Sequence, residues 1–514
     1  MHHPGGGRVR WALLGAGLLW FSDWINPPHP PSNPLLAAIV AVGLAAFLAW
    51  LLTQAGADSY HEPIAAVWLA VVAPLLAAAT GSVDAERVRL AAISVPAMIP
   101  LLAPFAPKPG DVVLGRRLGF PWRPVRVGHD DRFRHMLCIG PSGTGKTLTV
   151  LAPLLRQDLQ SGAGVIVVEP KDGELAGICR DFCRARGRAY REIAPLDLAG
   201  EPWNALQGSA PAVAERTLFA LGRLQGGDRA PASAGAAYYD ALGQSVLRHA
   251  VYAIKGALGD QATLADLQAI LSDANARAQI LARCDDAEVH RFFAGTFAAW
   301  RPDERARNLA GILNSLDMLL AHPDLRRTLT PPPEAGIRLP QVLAEGGALL
   351  VTLPSGELLR AGEALGAFFL AALTAAVFAR PASPRPPVFL YVDEFQRFAT
   401  PGFADFLAMA RGYRVGAVLA HQNLAQLRVA GGQPLVETVL ANTRTRIVLA
   451  CDAPDAAALA PALRCPPERL QTLPFRSAAC LLPGGRTRFV RLPAPNARHP
   501  QVTHRLWINR TPVR

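Results

Sequence analysis

Lysine is scarce in this chain. Of 52 basic side chains only Lys108, Lys146, Lys171 and Lys255 are lysine, which excludes a lysine-rich tail and makes each remaining ammonium a candidate for a site that needs a compact point charge. Paired cysteines are missing as well. Cys138, Cys179, Cys183, Cys284, Cys451, Cys465 and Cys480 are scattered, odd in number and form no CxxC unit, so a disulfide framework and a zinc ribbon are excluded and a reducing compartment is indicated. Cys179 and Cys183 stand at helical i, i+4 spacing, but no second ligand pair lies near them, and packing is favoured over a metal.

One of the four lysines sits in the most constrained stretch of the sequence. Gly140, Pro141, Ser142, Gly143, Thr144, Gly145, Lys146 and Thr147 fit G-x-x-x-x-G-K-[ST] at every fixed position. In such a loop the glycines let successive backbone N–H groups point at phosphates, Lys146 reaches the β/γ oxygens and the Thr147 hydroxyl serves Mg²⁺. The apolar run before it reads as a strand and residues 148–155 as a helix start, so binding of ATP with Mg²⁺ is expected.

Charge is absent from long stretches of the first hundred residues. Residues 35–52 and 63–80 are each uncharged and long enough to cross ~30 Å of hydrocarbon as helices. Residues 90–107, interrupted by three prolines before its end, and the shorter 11–21 are further candidates; the latter also reads as a signal-peptide core, although no small-residue cleavage site follows. A nucleotide site must face the cytosol, and Arg8 and Arg10 favour the same side, so an even number of spans is expected, four favoured over two. Lys108, Arg116, Arg117, Arg123 and Arg126 then mark cytosolic re-entry, whereas Asp58 and Glu62 without any Lys or Arg in 53–62 keep two spans open.

Beyond residue 109 the pattern alternates. Runs at 164–169, 348–353, 388–394, 415–420, 446–450 and 478–482 read as buried strands separated by helices, hence an α/β core with a parallel sheet covered on both faces. Residues 364–379 are apolar enough for a membrane but lie between two core strands, and read as a helix on the sheet. Residues 207–329 have Ala, Leu and Arg at helical spacing and few strand-like runs, indicating an all-helical insertion with a Gly/Ala-rich mobile loop at 222–235. The expected organisation is 1–108 transmembrane anchor, 109–206 first part of a nucleotide-binding domain, 207–330 helical insertion and 331–514 second part of the nucleotide-binding domain.

The run 388–394 ends in Asp393-Glu394. Two carboxylates at the C-terminal end of a buried strand fit the Walker B arrangement, Asp393 on Mg²⁺ and Glu394 polarising the attacking water. Gln422 follows the next strand, where related ATPases place a residue that senses the γ-phosphate. The net charge of +12 suits a polyanionic partner or an anionic membrane face.

Taken in order, the phosphate loop, Glu169-Pro170-Lys171-Asp172-Gly173-Glu174, Trp203-Asn204-Ala205-Leu206, Asp393-Glu394-Phe395, Ala410-Arg411-Gly412-Tyr413-Arg414 and the 421–427 segment resemble the type IV secretion coupling proteins, the TraG/TraD group of conjugative DNA transfer. The family's D-P-K-G-E appears here with one residue added and Glu for Asp, and its N-P-L as Asn204-Ala205-Leu206. The resemblance implies a RecA-like P-loop ATPase forming a homo-hexamer beneath a multi-pass anchor in the bacterial inner membrane. It implies partners in DNA or a relaxase-DNA complex and in the secretion channel, and an arginine acting in trans on the phosphoryl group, Arg411 by motif position with Arg414 in reserve. The alternative is an ATP-binding recruitment platform for protein effectors; a segregation or repair pump of the FtsK/HerA kind ranks below both.

Overall fold

The computed structural model describes residues 110–170, 173–224, 234–332, 335–400 and 402–495. The expected membrane spans, Lys171, Asp172 and most of the 222–235 loop lie outside them. One compact unit, Val112–Leu118 with Val125–Pro495, holds every element except the start of the second strand.

Along the chain run strands β1 (Val112–Arg117) and β2 (Phe120–Val127), the turn α1 (His129–Arg132) and β3 (Met136–Ile139). A π-wound turn, Lys146–Leu151, leads into α2 (Ala152–Ser161), followed by β4 (Gly164–Glu169), α3 (Glu174–Arg186) and β5 (Tyr190–Ile193). Seven helices come next: α4 (Ala210–Leu224), α5 (Ala234–Leu258), α6 (Leu264–Ser272), α7 (Ala274–Leu281), α8 (Ala287–Phe292), α9 (Pro302–Leu320) and α10 (Pro323–Leu329). No strand interrupts them among the described residues. The chain returns through α11 (Leu339–Glu345), β6 (Ala348–Thr352), α12 (Ser355–Phe378), β7 (Val388–Val392), α13 (Phe403–Met409) and β8 (Val415–His421). It closes with α14 (Leu424–Asn442), β9 (Thr445–Val448), α15 (Ala453–Leu463), α16 (Pro467–Gln471), β10 (Ser477–Leu482) and β11 (Arg486–Arg491).

The strands form one sheet in the order β2-β1-β11-β10-β9-β3-β8-β7-β4-β6-β5. From β9 to β5 all pairs are parallel. The sheet is mixed, however, not wholly parallel as the sequence suggested, because β10 pairs antiparallel with both β9 and β11, and β11 with β1. The reason is local: Pro483-Gly484-Gly485 supplies a tight turn with both glycines at positive φ, 87° and 76°, so β11 folds straight back on β10.

Side chains alternate between two cores, as a strand buried on both faces requires. Leu137 and Ile139 enter one, Met136 and Cys138 the other. The first core continues through α12, where Leu365, Phe368, Phe369 and Leu373 are fully buried, and on into the helices of 210–329. Although α12 is long and apolar enough to span a bilayer, 67% of its apolar window is buried inside the protein. Three helices of this region, α6, α7 and α8, start on short polar side chains that accept from their first free N–H groups: Thr263 with Asp266 in a reciprocal capping box, then Asp273 and Asp286. In the second core Arg132 pairs with Asp158 of α2, and the Tyr391 hydroxyl of β7 also donates to Asp158. This buried group fixes the helix behind the phosphate loop against the strand that carries Asp393.

Candidate nucleotide site

The parallel order sets the site. β8 lies between β3 and β7, so the loops leaving their C-terminal ends gather side by side, as ligand sites of open α/β sheets do. Gly140 is buried at the end of β3, and a Cβ there would meet Leu449 Cβ at 2.9 Å, so only glycine fits. Gly145 has φ 90°, a left-handed conformation that frees the loop to turn into Lys146. Pro141, Ser142 and Gly143 are exposed, Thr144 and Gly145 half-buried. The Thr144 hydroxyl donates to the Pro141 carbonyl at 2.7 Å. Lys146 is buried, and its Nζ donates to the carbonyls of Gly140 at 2.6 Å and Pro141 at 3.2 Å, which holds the ammonium across the mouth of the loop.

Thr147 Oγ1 donates to Asp393 Oδ2 at 2.9 Å. A neutral hydroxyl and an anionic carboxylate, both hard oxygens, meet beside a lysine; that donor set suits Mg²⁺, which keeps much of its water and takes few protein ligands. No cluster of three or more His, Cys, Asp or Glu suited to a metal occurs among the described residues.

Glu394 follows in a left-handed conformation, φ 48° and ψ 47°, a strained state for a residue with a Cβ. Its N–H donates to Asp393 Oδ1 at 2.9 Å. Two carboxamides hold its Oε2: Gln422 Nε2 at 3.0 Å and Gln396 Nε2 at 2.7 Å. Gln426 Nε2, one turn into α14, donates to Gln422 Oε1 at 3.3 Å. Lys146, Thr147, Asp393, Glu394 and Gln422 are thus brought together.

Arg411 is not. It is exposed and precedes β8, whereas Gln422 follows it; a seven-residue strand separates the two by ~20 Å. Arg414 lies at the same end, its guanidinium 5.7 Å from the centre of the Phe133 ring.

Three neighbours have no role of their own in the sequence pattern, although Glu169 and His421 stand in segments that carry the resemblance. Gln396 is one. Glu169, at the end of β4, accepts from the N–H groups of Leu175 at 3.1 Å and Ala176 at 2.7 Å and so caps α3; burial pushes its carboxyl up to about 7 against those bonds, with Asp393 adding to the rise. His421 donates from Nδ1 to the Asn423 carbonyl, and burial lowers it to about 4, leaving it neutral between Lys146 and Glu394. Beneath the loop, burial pushes the Cys138 thiol up to about 12, an inert packing thiol.

Residues 387–460 match the family model described as the TraM recognition site of TraD and TraG. The resemblance to the TraG/TraD coupling proteins is borne out. The matched segment contains Asp393, Glu394, Gln396, Arg411 and Gln422. No curated protein matches the chain in sequence. Among solved structures, the unbound monoclinic form of the bacterial conjugative coupling protein TrwBdeltaN70 superposes with a TM-score of 0.58 at 18% identity, over 76% of this chain and 90% of that one. The plasmid coupling protein TrwB with ADP and Mg²⁺ gives 0.55 at 19%, over 76% and 92%. TrwB with the ATP analogue ADPNP gives 0.55 at 19%, over 76% and 90%. At these identities the likeness is one of fold, and that fold is an α/β P-loop NTPase core.

Proposed function

We propose that this chain is a membrane-anchored ATPase that couples DNA or a nucleoprotein substrate to a type IV secretion channel. The observation that carries the reading is the direct bond between Thr147 and Asp393, with Glu394 held beside it by Gln422, since this is the set of groups that ATP hydrolysis requires. Lys146 and the loop 140–147 hold the phosphates of ATP, and Thr147 and Asp393 hold Mg²⁺, which when bound neutralises charge on the β and γ oxygens. Glu394 orients and deprotonates the attacking water, and Gln422 links that carboxylate to the γ-phosphate position. The complexes of TrwB with ADP and Mg²⁺ and with ADPNP support the choice of ligand.

In this reading 1–108 anchor the chain in the bacterial inner membrane, 109–206 and 331–514 form the nucleotide-binding domain, and 207–330 form a helical domain that engages cargo. Hexamers place Arg411 of one subunit at the ATP of the next, which its distance from Gln422 within its own chain favours. The description of the matched family segment as a TraM recognition site supports contact with a relaxosome accessory protein, and it is the observation favouring recruitment as a second role.

ATP hydrolysis by the purified full chain tests the core of this reading. Lys146→Ala is expected to abolish both tight binding and turnover, and Glu394→Gln to keep binding while losing turnover. Undiminished hydrolysis by either variant refutes it.

A further inference from the structure

Hydrolysis fixes more than one requirement on the attacking water. As its oxygen bonds to the γ-phosphorus, the bond from that phosphorus to the β,γ-bridging oxygen breaks, ADP leaves with the electron pair, and one water proton passes to the Glu394 carboxylate. The second proton stays on the product phosphate, but while the oxygen attacks, its O–H needs an acceptor if the water is to be held in line. A single carboxylate oxygen orients one O–H and leaves the other free to turn.

Gln396 has what is missing. It is buried on the single turn Phe395–Arg397 that follows Glu394. Its Nε2 donates to Glu394 Oε2 at 2.7 Å, while its Oε1 is buried with no hydrogen-bond partner among the described residues. A buried carbonyl oxygen of this kind is rare and marks a place where water or a ligand is received. The two heteroatoms of an amide sit roughly 2.3 Å apart, so Oε1 is within about 5 Å of Glu394 Oε2, a gap that one water bridges. The left-handed backbone of Glu394, φ 48°, places the carboxylate and the next-but-one side chain on the same side of the turn.

We infer that Gln396 is a second water-holding residue: its amide nitrogen fixes the Glu394 carboxylate and its amide oxygen accepts from the attacking water. The inference rests on the reading of Glu394 as the base. It separates Gln396 from Gln422, which follows β8 beside the end of β3 and the phosphate loop and therefore answers to the γ-phosphate, whereas Gln396 belongs to the β7 turn and serves the water alone.

Steady-state hydrolysis by the full chain in detergent is the test. Gln396→Leu removes donor and acceptor; kcat should fall about 10- to 100-fold with KM within about twofold. Gln396→Glu keeps the size and an acceptor but loses the donor to Glu394, so its kcat should fall by less. Its near-identical shape guards against misfolding, and ADP affinity reports the integrity of both variants. In a Glu394→Gln background Gln396→Leu should add nothing, as expected of groups acting on one water. If Glu394→Gln is inactive while Gln396→Leu keeps kcat within about twofold, Gln396 has no such role. If Glu394→Gln still turns over, the assignment of Glu394 falls and this one with it.

Discussion

Thr147 and Asp393, 246 residues apart in sequence, share one hydrogen bond of 2.9 Å, which joins the phosphate loop to the end of β7 at the proposed metal position. Thr147→Val keeps the shape and removes the hydroxyl. It should raise the Mg²⁺ concentration for half-maximal hydrolysis about 10-fold or more and lower kcat, and Asp393→Asn should cost ~10²-fold in rate by removing the only charge of the pair. Thr147→Ser should restore both quantities. A magnesium titration of ATP hydrolysis decides, and an unchanged half-point in Thr147→Val removes Thr147 from the metal.

His135 offers a test of the core that is independent of chemistry. Its Nε2 donates to the Leu407 carbonyl at 3.0 Å and its Nδ1 accepts the Ala417 N–H at 3.0 Å, so the buried ring is fixed as the neutral Nε2–H form. Burial lowers it from 6.5 to about 4. A depressed folded value means that the unfolded chain takes up the proton first, so the contribution is whole above pH 6.5 and is lost as pH falls towards 4, by about 3 kcal/mol in all. His421, also lowered to about 4, acts in the same window, while Glu169, raised to about 7, acts in the opposite sense between 4.5 and 7. The comparison of His135→Gln with wild type isolates the one residue. The variant should be less stable at pH 7 by ~1–3 kcal/mol for disturbed buried hydrogen bonds, and that difference should shrink or reverse by pH 4. Parallel denaturant midpoints across this range would contradict the neutral assignment.

What could be read in the sequence was what is local. The phosphate loop is eight consecutive residues whose backbone does the binding, so its pattern survives without tertiary context. Buried parallel strands announce themselves as unbroken apolar runs; that at 164–169 matches β4 to the residue, and that at 388–394 overruns β7 only by its two carboxylates. The antiparallel end of the sheet was less plain, because 478–482 reads the same whether its partner is parallel or not; Pro483-Gly484-Gly485 was the available signal. Gln396 could not be read. Its importance depends on the left-handed turn at Glu394, which brings a side chain two positions on back to the carboxylate, and nothing in Asp393-Glu394-Phe395-Gln396 requires that turn. Glu169 and His421 stand in segments that carry the resemblance, but their roles, an acid capping α3 and a neutral buried histidine, follow from burial and hydrogen bonding that the sequence does not show.

Nucleic-acid binding divides the two roles left for this protein. With a net charge of +12, the full chain in a neutral detergent should bind double-stranded DNA without sequence preference, and log affinity should fall linearly with log salt as phosphate contacts release counterions. A slope equivalent to several phosphates is expected, with binding lost well before 0.5 M salt. Fluorescence anisotropy with a labelled duplex measures it. No binding at about 50 mM salt would leave recruitment of protein substrates as the function that fits the site.

Arg411 lies at the far end of β8 from Gln422, roughly 20 Å away along the strand, and its exposed side chain makes no hydrogen bond or ion pair among the described residues. In the proposed hexamer an arginine so placed would serve not the ATP of its own subunit but that of a neighbour, where such a charge is worth ~10³-fold in rate. Arg411→Ala should therefore bind nucleotide normally and hydrolyse it slowly. Mixed assembly gives the sharper result: Lys146→Ala supplies intact arginines, Arg411→Ala supplies intact phosphate loops, and random mixing creates interfaces in which one faces the other. Activity should rise on mixing to as much as about a quarter of wild type, the share of interfaces that pair an intact lysine with an intact arginine in an equal mixture, if neighbours act independently. The same mixture of Lys146→Ala with Glu394→Gln should not recover, because both defects then lie on one side of each interface. Recovery with both partners would place Glu394 in trans as well, and normal hydrolysis by Arg411→Ala alone would exclude Arg411 and turn the test to Arg414, whose guanidinium rests against Phe133.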